Sequence, residues 1–239
     1  MGSVSVGEAA RRLGVGVARV HQRIADGSLA ADRVGSQWVI DELEVMRVAE
    51  RRRAGRPLSA RSAWAIIALS VDDASAVGKL APVERSRARD RLVEVLSLAA
   101  RAPRGEAEVR SVAAALRSLF RNRAQPVLLR AAPADLPDLR ADGRWQSLLS
   151  SAQSGIADPD VDGYLEADDL EGLCRDYLLV GVAASEANVG VHVLPAGQRS
   201  YPGSSLLLAA DLADRRGSRE ELRAAELLHE LALERGVLA

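Results

Sequence analysis

Cysteine is almost missing from this 239-residue chain: Cys174 stands alone. No intrachain disulfide can form, and a cysteine-based zinc site is excluded. Lysine is as scarce, with Lys79 the only one. Positive charge therefore rests on arginine. With alanine so abundant, that bias reads as the mark of a GC-rich coding sequence, not as a function in itself. Aromatics make up 3% of the residues, so the cores must be built from Leu, Val and Ala. Three histidines, His21, His192 and His229, are scattered along the chain, and no metal or cofactor is expected. No run approaches 18 apolar residues, and the opening Met-Gly-Ser-Val-Ser-Val lacks the apolar stretch of a secretory leader. A cytoplasmic protein with no membrane partner is the expectation.

What is present is a soluble, globular balance of 48% hydrophobic and 27% charged residues. The net charge of −1 hides an asymmetry: residues 1–123 carry a net +8 and residues 124–239 a net −9. The basic half suits a polyanion, and the acidic half is free for another partner.

Residues 5–14 read as a short helix. Ser5 and Glu8 stand at capping-box spacing, and Val6, Ala10 and Leu13 share one face. Gly14 ends that helix. A second runs over 17–26 with Val20 and Ile24 inward, Gly27 as its stop and Leu29 returning to the core. Residues 32–40 then switch to two extended pieces around Gly35-Ser36, a small hairpin. Asp41 is expected to cap a charged helix over 41–54, and Gly55-Arg56-Pro57 breaks it. Helical patterns follow: one capped by Ser59 and carrying Trp64, Ile66 and Ile67; a turn at 72–78; an amphipathic stretch at 83–100; and a helix at 107–122. From about residue 124 the signals alternate. Strands are expected at 125–131, 164–166 and 187–194, and helices at 134–142 and 168–178. Residues 205–210 fit a strand or a helix start. A last helix covers 218–235, with Ser218 and Glu221 at capping-box spacing. The expected fold is mixed α and β in three parts: an N-terminal winged helix-turn-helix over 1–55, a helical connector over 56–123, and an acidic α+β domain over 124–239.

The strongest signal spans residues 4–45. Glu8, Ala9, Ala10, Leu13 and Gly14 form one pattern, Gly27 and Leu29 a second, and Arg33, Gly35, Trp38, Ile40 and Asp41 a third. Together they resemble the winged helix-turn-helix of the MerR and excisionase families. The physics agrees. Ala10 is small where two helices cross, and a short second helix fits the major groove of B-DNA. With Val20 and Ile24 inward, its outer face shows Ala18, Arg19, His21, Gln22 and Arg23. Arginine pairs with guanine and glutamine with adenine, so Arg19 and Gln22 are the candidate base readers, with His21 reaching a base or a phosphate. Arg11 and Arg12 on the first helix and Arg33, Ser36 and Gln37 on the wing are candidate backbone contacts, which position without reading sequence. Trp38 is expected as a core plug under the wing. MerR regulators continue into a long dimerisation helix that this sequence lacks, and excisionases end soon after the wing, so neither family's function transfers whole.

Later segments suggest a third likeness. Gly55–Leu69, Gly163–Leu173 and the Leu-Ala-Ala-Asp-Leu-Ala-Asp stretch ending at Asp214 resemble actinobacterial AbiEi-like antitoxin regulators. That resemblance implies an autorepressor encoded beside a nucleotidyltransferase-like toxin, with Arg56 and Trp64 equally readable as a packing pair. Double-stranded DNA is the expected partner. One small module makes few base contacts, so a dimer or several copies on the DNA are implied. A stand-alone transcription factor with a ligand- or protein-sensing C-terminal domain, and an excisionase-like architectural factor, are the alternatives. No catalytic constellation stands out. Asp168 and Asp169 are adjacent and cannot face each other on a helix. Asp158-Pro-Asp160-Val-Asp162 lacks the glycine and glutamate of a calcium loop and reads as an acidic turn. Cys174 reads as a helix residue packed inside. A non-enzyme is expected.

Overall fold

A computed structural model of the chain describes residues 3–13, 15–25, 29, 31–35, 37–41, 45, 57–99, 102–103, 105–149, 154–155, 160–183, 186–215 and 217–237. The chain divides at Gly55 into two compact units, 1–55 and 56–239. The stretch read as a connector over 56–123 lies inside the second unit.

The first unit opens with a strand that its sequence pattern did not announce, β1 (Ser3–Ser5), followed directly by α1 (Val6–Leu13) and α2 (Val17–Ala25). A hairpin, β2 (Asp32–Val34) and β3 (Gln37–Asp41), completes a three-stranded antiparallel sheet of order β1-β3-β2. Val4 pairs with Ile40, and Arg33 with Trp38. Gly35 sits at φ +63° in the tight link between β2 and β3, a conformation glycine adopts without a Cβ penalty. The core is small and aliphatic: Val4, Ala9, Ala10, Leu13, Val20, Leu29, Ile40 and Val45, with Val6 and Ile24 packed against it. Ser5 Oγ accepts the Glu8 N–H at 3.3 Å, which caps α1. Asp41 closes β3. The stops expected at Gly14 and Gly27, and all of the helix expected at 41–54 except Asp41 and Val45, lie outside the described residues.

The second unit starts with α3 (Ala60–Ser70). Ser59 caps it by accepting from Ser62 N–H at 3.2 Å. The turn expected at 72–78 is a short helix, α4 (Ala74–Gly78), because Asp73 Oδ1 accepts from both Ser75 and Ala76 N–H. Then come α5 (Pro82–Ser97), α6 (Glu106–Phe120), β4 (Gln125–Arg130), α7 (Leu136–Ala141), β5 (Ser147–Leu148), β6 (Val161–Glu166), α8 (Ala167–Asp176), β7 (Val180–Gly181), β8 (Val189–Leu194), α9 (Ser205–Arg215) and α10 (Ser218–Glu234). The strands form one sheet of order β5-β6-β8-β4-β7, antiparallel throughout except for the parallel pair β6–β8.

Alternation sends the two sheet faces to different cores. Leu129, Val161, Leu165, Val189 and Val191 pack with Leu139 and Leu173 of α7 and α8. Tyr164 and Leu194 join a larger cluster with Trp64, Ile67, Leu96, Leu116, Phe120, Leu206 and Leu228. The helices of 60–120 therefore share a core with α9 and α10, which explains why residues 56–239 form one unit. The ambiguous 205–210 segment is helical. Leu206, Leu207, Ala209, Ala210, Leu212 and Ala213 are all buried, and burial on several sides erases the helical period from the sequence. The capping box expected at Ser218 does not form: Gly217 is the N-cap, without a side-chain hydrogen bond, and Ser218 is already in the helix.

A buried polar network stitches the sheet to the helices. Arg123, 2% exposed, donates to the Tyr164 hydroxyl, to Asp211 and to Asp214, each at 2.7 Å. Tyr164 donates to Asp211 at 2.6 Å. His192 stacks on the Tyr164 ring at 4.7 Å, and its Nε2 faces Asp162 Oδ1 at 3.1 Å. Asp162 also accepts from Arg215 at 3.0 Å. Asp162 thus belongs to a strand and its ion pairs, not to the acidic turn expected at 158–162; Asp158 and Pro159 lie outside the described residues. Its carboxylate crosses Gly190, where a Cβ would meet it at 3.1 Å. Burial opposes the charge on Arg123, but Tyr164, Asp211 and Asp214 outweigh it and hold the guanidinium charged. Burial likewise pushes the Asp211 carboxyl up, against the pull of Arg123. Trp64 Nε1 donates to the Arg123 carbonyl at 2.7 Å; Arg56 lies outside the described residues. Cys174 is half-buried on α8.

Candidate nucleic-acid interface

Two short amphipathic helices and a hairpin position the candidate residues. Val20 at 0% exposure anchors α2 to the core, and the Leu29 N–H donates to the Arg23 carbonyl at 3.0 Å, folding the chain back after the helix. Pinning one side of α2 leaves the opposite side to solvent. Ala18, Arg19, His21 and Gln22 are all exposed there. Arg19 Nη1 donates to Gln22 Oε1 at 2.5 Å, so the two candidate base readers already stand side by side at i,i+3. Arg23 differs from the sequence reading: it is half-buried beside the inward stripe. Val17 is not among the candidates that the sequence pattern nominates. It opens α2 with 49% of its surface exposed.

On α1, Arg11 and Arg12 both contact Glu8, Arg12 through Nε at 2.9 Å. The Arg12 hydrogen bond holds the Glu8 carboxyl below its ordinary range, against a smaller opposing effect of burial. Exposed pairs of this kind contribute little and exchange readily for another anion. On the hairpin, Arg33 and Gln37 are exposed, and the Arg33 guanidinium lies over the Trp38 ring at 5.8 Å. Trp38 is half-buried and outside the core cluster. It sits nearer the hairpin turn than Ile40, which fills the core position expected for the tryptophan. Ser36 lies outside the described residues.

The unit therefore presents cations and hydrogen-bonding side chains from a pinned second helix, a first helix and a hairpin, over a small aliphatic core. Residues 3–53 match the family model of a helix-turn-helix domain. The N-terminal unit is a helix-turn-helix DNA-binding domain. No curated protein and no solved structure matches the chain.

Proposed function

We propose that this chain is a sequence-specific regulator of transcription that binds double-stranded DNA. The observation that carries the reading is the outer face of α2, where Ala18, Arg19, His21 and Gln22 are exposed together on a helix whose other side is locked into the core. In this reading α2 enters the major groove, with Arg19 and Gln22 making the base contacts. The β2–β3 hairpin acts as a wing whose Arg33 and Gln37 lie along the backbone, joined by Arg11 and Arg12.

The likeness to AbiEi-like antitoxin regulators narrows the proposal to an autorepressor of a toxin–antitoxin operon. Its support is that the three segments carrying the likeness supply Trp64, Tyr164 and the pair Asp211 and Asp214, which meet in one buried network. The larger unit then serves as a regulatory or partner-binding part and not as an enzyme. A gel-shift titration of the full chain on the DNA upstream of its own gene, against random DNA of equal length, tests the autorepressor. Preferential binding to the upstream DNA supports it; indifference between the two removes it.

A further inference from the structure

A groove of about 440 Å³ opens in the larger unit, between α3, the region just after α4 and the turn that follows β8. That is a small-molecule volume. Every charged side chain lining it is a cation: Arg61, Lys79 and Arg199. The acids that touch two of them stand outside the lining. Glu84 accepts from Arg61 Nε and Nη2 at 2.8 and 2.9 Å. Asp73 accepts from Arg199 and, at 2.9 Å, from the Tyr201 hydroxyl. These contacts hold the guanidiniums in place. Each fork carries five N–H donors and keeps several for a ligand. Lys79 has no ion-pair partner among the described residues.

Apart from Gln198 the rest of the lining is largely apolar, with Trp64, Leu80, Pro195, the ring of Tyr201 and the alanines of α3. The Arg199 guanidinium lies over the Tyr201 ring, 5.3 Å from its centre. The turn closing the groove is tight: Gln198 N–H donates to the Pro195 carbonyl at 2.9 Å, and Gly197 sits at φ +70°. It follows the carboxyl end of β8.

We propose that this groove binds an organic phosphate of small-molecule size. The anionic group sits among Lys79, Arg61 and Arg199, and the carbon body lies against Trp64 and Tyr201. Three cations contributed by separate segments suit a group with several anionic oxygens and more than one negative charge. The assignment does not depend on the DNA-binding reading.

Lys79 is the only lysine, so an amine-acylating reagent reports on the groove directly. Acylation of the full chain is followed by mass spectrometry without ligand, with pyrophosphate and with ADP, the amino-terminal amine serving as internal reference. At ten times its dissociation constant a bound ligand protects roughly tenfold. ADP should slow Lys79 acylation by about that factor and leave the reference amine unchanged, and pyrophosphate at equal concentration should protect less. Arg199→Gln should raise the half-protecting ADP concentration roughly tenfold, as loss of a charge-assisted hydrogen bond does, each protein being compared with its own ligand-free rate. Equal Lys79 rates with and without millimolar ADP would overturn the site. Protection untouched by Arg199→Gln would place the anion elsewhere and overturn it too. Pyrophosphate protecting as well as ADP would remove the apolar wall from the assignment.

Discussion

Replacing Arg123 by methionine should destabilise the larger unit more than any surface substitution. The side chain is 2% exposed and donates to Tyr164, Asp211, Asp214 and the Phe120 carbonyl. Methionine keeps much of the volume, so the loss is electrostatic. Asp214 is partly exposed and can rehydrate, but Asp211 is 7% exposed and would lose its guanidinium partner, keeping the Tyr164 hydroxyl. Removing one partner of a buried pair costs about 3–5 kcal/mol, a large share of a total stability of about 5–15 kcal/mol. Removing both is different, because an apolar pair of similar volume is often neutral. Arg123→Met combined with Asp211→Leu should recover most of the loss. Urea denaturation followed by tryptophan fluorescence, with Trp38 and Trp145 replaced by phenylalanine throughout, reads this locally, since Trp64 bonds the Arg123 carbonyl and lies 5.9 Å from the Tyr164 ring. With a slope of about 2 kcal/mol per molar urea, a cost of about 4 kcal/mol moves the midpoint by about 2 M. A single variant costing under about 1 kcal/mol, or a double variant costing the sum of the two singles, would refute the reasoning.

Arg19→Ala should weaken binding to a selected duplex by about 1–3 kcal/mol and lower the ratio of specific to random affinity, if it makes a paired base contact; an unchanged ratio removes its reading role. Arg33→Ala should weaken all sequences alike and flatten the salt dependence of log K by about one contact's worth, whereas a change of preference at one base pair would make it a reader. Val17, exposed where α2 begins, should favour a thymine methyl: exchanging that thymine for uracil should cost about 0.8 kcal/mol, as one buried carbon does, and Val17→Ala should abolish the difference. His192 carries a pH dependence. Burial lowers its pKa, but the charge and hydrogen bond of Asp162 outweigh burial, with Asp211 helping and Arg123 opposing, so the net shift is upward. Its stabilisation is therefore complete below the ordinary histidine value and is lost as the pH rises through the folded-state value. Urea midpoints of the wild type should fall across that window relative to His192→Gln; parallel profiles would show that His192 carries no such linkage.

The helix-turn-helix was legible because local signals fix it. The small Ala10 at the helix crossing, the Val20 and Ile24 stripe and the Gly35 turn each act within a few residues. The same locality placed Ala18, Arg19, His21 and Gln22 outward. It misplaced Arg23 and overlooked Val17, because both sit at the border of the buried stripe, where a helical wheel decides poorly. In the larger unit the sheet order was not legible. β5 and β7 are two residues each, and β6 pairs in parallel with β8 across the intervening α8 and β7. Arg123, Tyr164, His192 and Asp211 come from four distant segments, so no spacing announces their network. Asp162 looked like part of an acidic turn for the same reason: its partners are His192 and Arg215, far along the chain.

The central claim is that the exposed face of α2 reads DNA sequence. The most direct test is to select a duplex from a random library with the full chain, then measure binding isotherms on that duplex and on a shuffled one at two salt concentrations, about 50 and 200 mM. The account predicts that both affinities fall with salt while the selected duplex stays tighter by a factor of about 10³ or more. Equal affinity for the two duplexes, with binding lost at the higher salt, would contradict it and leave only the attraction of a basic surface for phosphate.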